Sequence, residues 1–314
     1  MNVRSSLWLC LPLMAACAEG KSAAPPRDEG GNGAETAAAG SGGGGLAGGT
    51  AGAGTAGTNQ AGASGAAGEP AYQNLDHFSF FVTSYAAMQR LSGDVKGFGG
   101  DLRFGKADGL SGADEICRQI AEISMPGAGN KGWRAFLSVT QDAQGQPVHA
   151  IDRIGDGPWY DRLGRLVAEN KANLAQTRPA GADAAIIDDL PNEDGVPNHR
   201  PDPTGPQLDN HDVLTGTGPT GQLYMNDPKY TCRDWTSAVG ADGTPRVGHS
   251  WPRMMGTGSS PRAPSGMDNW MSALNEAGCA PGASLVEMGP PNPDVPTVGS
   301  GGGYGGIYCF ALAP

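Results

Sequence analysis

Aromatic side chains make up only 6% of this 314-residue chain, and basic residues are outnumbered, 21 Lys and Arg against 32 Asp and Glu. The resulting net charge of -11 opposes nucleic acid, heparin-like polyanions and anionic membrane surfaces, and equally suits plain solubility. No apolar run approaches the ~20 residues of a membrane-spanning helix. No cysteine pair has the C-x-x-C spacing of a zinc knuckle or a thioredoxin-like site. H-E-x-x-H, G-x-S-x-G and P-loop strings are missing too, which removes the commonest metalloprotease, hydrolase and nucleotide-binding signatures. The five histidines, His77, His149, His199, His211 and His249, show no paired-ligand spacing.

What is present begins with an address. Arg4 precedes an apolar stretch, Leu7 to Ala16, and Leu13-Met14-Ala15-Ala16-Cys17 reads as a bacterial lipobox with Met where Leu is preferred. Residues 1–16 are expected to be a cleaved signal peptide, and Cys17 the lipidated residue. An ordinary signal peptide cut near Ala16 is the alternative, and both export the protein. Ala18, rather than Asp, favours the outer membrane over inner-membrane retention.

Residues 17–71 are dominated by Gly, Ala, Ser and Thr, with few large side chains. Such a segment cannot bury enough apolar surface to offset chain entropy. It reads as a disordered linker with a span of roughly 40 Å. Nearly all aromatics lie from Tyr72 onward, so 72–314 is expected to fold as one domain.

Within that domain His77 to Thr83 alternates as a first strand. Ser111-Gly112-Ala113-Asp114 resembles a capping box, and Ala113, Ile116, Cys117, Ile120 and Ile123 place a helix with one apolar face. Lys131 to Thr140 reads as a strand with Trp133 inward, and His149 to Ile154 as a short helix. Pro158 to Val167 reads as a hairpin turning at Leu163-Gly164. Tyr230 to Thr236 and Gly306 to Leu312 read as further strands. Few helices, short strands and long loops define an α+β class. Four cysteines, Cys117, Cys232, Cys279 and Cys309, are widely spaced behind an export signal and suggest two disulfides; four cysteines allow three pairings.

The motif order resembles the C-type-lectin-like fold, in its endostatin-like branch. The residues carrying the resemblance are Gly109 to Cys117, Trp133-Arg134-Ala135-Phe136-Leu137-Ser138, Asp152-Arg153-Ile154, Cys232-Arg233-Asp234-Trp235-Thr236, Cys279, and Ile307-Tyr308-Cys309-Phe310. It implies nested pairing, Cys117 with Cys309 and Cys232 with Cys279. The Glu-Pro-Asn and Gln-Pro-Asp strings of calcium-dependent sugar binding do not occur, nor do the histidines of the endostatin zinc site.

Candidate sites remain. Asp188, Asp189, Glu193, Asp194, Asp209 and Asp212 crowd one long segment that is either a solvated acidic loop or a Ca²⁺ site, with His199 and His211 at its flanks. Trp133 and Trp235 belong in the core. Trp251 and Trp270, set among loops, are the candidate ligand surface. The expected function is non-enzymatic: an extracellular binding or adhesion module recognising protein or glycan, without a cofactor beyond that Ca²⁺, touching the membrane through its lipid alone. Alternatives are an enzyme on the formylglycine-generating scaffold, which shares the broad fold, and a purely structural envelope module.

Overall fold

The computed structural model describes residues 77–198, 211–251, 269–286 and 289–313. The expected signal peptide, Cys17, the expected linker and the first residues of the expected domain lie outside the described residues, as do His199 and Asp209. Among the described residues no helix is long and apolar enough to cross a membrane.

The architecture is α+β. In chain order, strand β1 (Phe80–Val82) leads into helices α1 (Tyr85–Ser92) and α2 (Gly109–Ser124). Strand β2 (Trp133–Ala135), the single-turn helix α3 (Ala150–Arg153), the hairpin β3 (Trp159–Tyr160) and β4 (Leu166–Ala168), and α4 (Lys171–Leu174) follow. Strands β5 (Asp212–Leu214), β6 (Arg246–His249), β7 (Leu274–Asn275) and β8 (Gly303–Ala311) complete the fold.

The last strand is the hub. β8 has β1 antiparallel on one edge; its other edge is shared between β5, parallel, and β2, antiparallel. β6 and β7 extend the sheet beyond β5. All nine residues of β8 are buried. With period-two alternation, Ile307, Cys309 and Ala311 join one apolar cluster with Ile116, Ile120, Trp133 and Trp235. Tyr308 and Phe310 join a second on the opposite face, with Phe80, Phe136, Trp159 and Trp270.

Two disulfides join Cys117 to Cys309 and Cys232 to Cys279. The first ties the buried face of α2 to β8. It closes a separation of 192 residues, the second one of 47.

Local differences from the sequence expectation have physical reasons. α2 starts before the anticipated box: Asp108 is its N-cap, and its carboxylate accepts from the Ser111 amide at 2.8 Å. Asp114 turns inward, where its carboxylate accepts from the Ala135 amide and the Arg153 guanidinium. Ile123 is exposed, because the buried stripe has rotated to Ile120 and Ala121 by the last turn. The expected strand over Lys131 to Thr140 is in register with β8 through Ala135, the Phe136 amide still donates to the Tyr308 carbonyl, and Ser138 then donates its amide to the Thr215 carbonyl. The expected hairpin forms around Gly164, whose amide donates to the Asp161 carbonyl.

Tyr230 to Thr236 is no strand. A 3₁₀ turn, Pro228–Thr231, runs into four successive residues with positive φ: Cys232 (48°), Arg233 (56°), Asp234 (59°) and Trp235 (61°). A left-handed run costs L-residues roughly 1–2 kcal/mol each, so its surroundings must impose it. The Cys232–Cys279 bridge fixes one end. The Asp234 carboxylate accepts from the Thr140 amide, the Thr140 hydroxyl and the Thr231 hydroxyl. At the other end Trp235 is buried, with its indole N–H donating to the Ser138 carbonyl.

Candidate functional sites

Two places concentrate features that packing alone does not explain. The first is a buried polar centre where β5 meets β6. Asp212 and His249 are register partners across those antiparallel strands, so their side chains share one face of the sheet. His211, just before β5, brings a second imidazole. The two imidazole centroids lie 4.1 Å apart, and the Trp251 indole packs edge-on against His211 at 4.7 Å. The Nε2 atoms of His249 and His211 lie 3.0 and 3.5 Å from the same oxygen, Oδ1 of Asp212. One potential ligand atom from each of the three residues falls within 4.8 Å of the others.

Glu276, directly after β7, closes the far side. Its Oε2 accepts from the Ser300 hydroxyl at 2.7 Å and the Gly301 amide at 2.8 Å. Gly301 is there because nothing larger fits: a Cβ on it would lie 2.8 Å from Asp212 Oδ2 and 3.4 Å from Glu276 Oε2. His211, His249 and Glu276 are 0% exposed, and Asp212 is 1% exposed. Around them, Arg178 donates to the carbonyls of His249, Ser250 and Ile187.

The electrostatics follow from burial and proximity. Burial drives the Glu276 carboxyl well above its ordinary range, and the neighbouring Asp212 charge adds to this. Burial acts on Asp212 in the same direction, but the two imidazoles outweigh it and hold that group down. Burial, with the adjacent His211, lowers His249 to about 4. These shifts favour the charged form of Asp212 and the neutral forms of Glu276 and His249.

The second place is the left-handed turn. It forms one wall of an open cavity of about 650 Å³, also lined by Asp108, Leu110, Val139, Gln141 and Gln144. Arg233 reaches outward from the turn and pairs with Asp242 at 3.0 Å.

Among the described residues the expected acidic segment is not gathered into a site, and Asp209 lies outside them. Glu193 is buried, and its carboxylate accepts from both the Ser84 amide and hydroxyl at the start of α1. Asp188 and Asp194 are exposed, Asp189 is half-buried, and Asp212 belongs to β5. Among the described residues, the one group with metal-ligand spacing is His211, Asp212 and His249. His211 was visible in sequence as a flanking histidine. Its partner is His249, brought in by strand pairing.

The expected ligand surface is corrected as well. Trp270 is fully buried, packed at 5.1 Å on both Phe136 and Tyr308, with its N–H donating to the Leu174 carbonyl. Trp251 is 3% exposed and forms a wall of the polar centre. Both were assigned to a surface because Gly, Ser and Pro surround them, yet large aromatics in irregular segments commonly anchor those segments to the core. Trp133 and Trp235 are core residues, as expected.

No protein-family model and no curated protein matches the chain.

Proposed function

We propose that this chain is an exported, lipid-anchored, non-catalytic binding module: a C-type-lectin-like domain of the endostatin type, held off the outer membrane by its linker and recognising a protein or glycan outside the cell. The observation carrying this reading is the left-handed turn beside the open cavity. Strained backbone that its surroundings over-determine clusters at binding surfaces, and here it projects Arg233 at a cavity rim. The two disulfides are compatible with an extracellular location. The lipobox-like Cys17 and the linker support attachment at a distance from the lipid.

Among the described residues lining the cavity none is aromatic; the amides of Gln141 and Gln144 stand with the carboxylates of Asp108, Asp142 and Asp234 and the one guanidinium of Arg233. Such a lining favours an extended protein segment over a sugar ring, which would stack on an aromatic face. The enzymatic alternative needs a reactive thiol or a metal; the four cysteines of the described residues are all in disulfides, which counts against the thiol-based version alone.

The test is a binding screen of the oxidised chain against envelope glycans and matrix proteins, repeated with Arg233→Glu. A ligand whose affinity falls at least tenfold on that charge reversal is the expected result. Binding to no member of the panel, or binding indifferent to Arg233 and to Gln141→Ala, removes this reading.

A further inference from the structure

We propose that the buried centre on β5 and β6 is a binding site for one divalent transition-metal ion of the zinc class, ligated by His211, Asp212 and His249, with Glu276 as a fourth oxygen donor or as the group that orients Asp212.

The geometry comes first. Two imidazoles converge on one carboxylate oxygen, and the three ligand atoms span no more than 4.8 Å. Tetrahedral zinc with bonds of about 2.0–2.1 Å places its ligand atoms roughly 3.3–3.4 Å apart. The 3.0 and 3.5 Å separations here bracket that value.

The second observation is a buried charge with few partners. The Asp212 carboxylate has only the two imidazoles, at 3.0 and 3.5 Å, and the Glu276 carboxyl beside it, and Nδ1 of His249 has no hydrogen-bond partner; all are shielded from solvent. Buried polar atoms without partners are rare, because each gives up the hydrogen bonds it made to water. Here one lies beside a buried charge. A dication coordinated by both imidazoles and by carboxylate oxygen would compensate them together.

The third is the scaffold. Asp212 and His249 are fixed by strand pairing, and a glycine is required where Gly301 brings its amide to Glu276. Arg178 clamps the backbone carbonyls of His249 and Ser250. A ligand set held by main-chain pairing and an outer layer of hydrogen bonds is how protein metal sites are oriented.

Donor chemistry selects the ion. Two imidazoles with carboxylate suit zinc and its neighbours, whereas calcium takes six to eight oxygens. Complete burial makes the site structural: the ion would cross-link β5 and β6, and β7 too if Glu276 coordinates it. This differs from the Ca²⁺ expected on the acidic segment in its residues and in its chemistry.

The experiment uses the full oxidised chain. Metal content is measured by mass spectrometry after purification without chelator, then Co²⁺ is titrated into chelator-stripped protein. The expected result is one equivalent of zinc-class metal per chain and visible d–d bands of a nitrogen–oxygen tetrahedral site. A raised melting temperature with Zn²⁺ but not Ca²⁺ should accompany them. His249→Gln and Asp212→Asn should lose the equivalent, and Glu276→Gln should weaken binding about 10–100-fold. His77→Gln should leave it unchanged. Should the variants fail to fold, the Co²⁺ spectrum of the unmodified chain decides. Absence of d–d bands and of any Zn²⁺ stabilisation overturns the proposal, as does metal that survives the His249 and Asp212 substitutions.

Discussion

The two faces of β8 and the centre at the start of β5 are equally buried and built on opposite principles. On β8, Ile307, Cys309 and Ala311 on one face and the rings of Tyr308 and Phe310 on the other pack into two apolar clusters. At the start of β5, His211, Asp212, His249 and Glu276 pack together at the same depth. Apolar packing tolerates changes that keep volume and pattern. A polar centre in low dielectric tolerates almost none, because each group depends on its neighbour's charge and direction. One region therefore carries the stability of the domain. The other carries a cost in stability, which marks it as a place with a purpose beyond packing.

Breaking that comparison begins on the apolar side, where effects are largest. Replacing Cys117 and Cys309 by Ser opens a loop of 192 residues and should cost roughly 5 kcal/mol on the chain-entropy model. Denaturant titration of the double variant would show this as a shifted midpoint. Trp270→Ala should cost about 3–5 kcal/mol by the same measurement. A loss under 1 kcal/mol would return Trp270 to the surface role its sequence context suggested.

On the polar side Gly301→Ala sharpens the contrast. The added methyl meets Asp212 Oδ2 at 2.8 Å and should cost about 1–3 kcal/mol, an overpacking effect read in the melting temperature. The smallest effect belongs to the surface. The Glu115 carboxyl is held down to about 2, chiefly by hydrogen bonding to Arg118, with opposing desolvation. Its folded-state value is depressed, so its contribution is present above the ordinary 4.5 and fades as pH falls toward 2. The pair is exposed enough that Glu115→Gln should change stability by less than about 1 kcal/mol, and only above that window.

Much of the apolar architecture is legible in the sequence because it is written locally. The helix of Ile116, Cys117 and Ile120, the short helix at Ala150–Arg153, the turn at Gly164 and the closing apolar strand each follow from spacing or turn chemistry within a dozen residues. The polar centre is not local. His211 and His249 meet through the antiparallel pairing of β5 with β6, and Glu276 arrives one strand later. No spacing rule spans those distances. The left-handed turn was hidden for a different reason: Cys232-Arg233-Asp234-Trp235 contains no glycine, so its composition favours a strand, and only the bridge, the Asp234 hydrogen bonds and the buried indole reverse that preference. The acidic segment misled because charge density marks where carboxylates are numerous, while Glu193 is spent on capping α1 and Asp212 belongs to a strand.

The hub strand also follows, in sequence, every strand it pairs with, and this sets an order of closure. β1, β2 and β5 each take β8 as a neighbour, and Cys117 waits for Cys309. The β3–β4 hairpin and the β5–β6–β7 meander pair without it, whereas β1 and β2 have no other strand to join. Docking of β8 is thus the step that turns separate local pairings into one sheet.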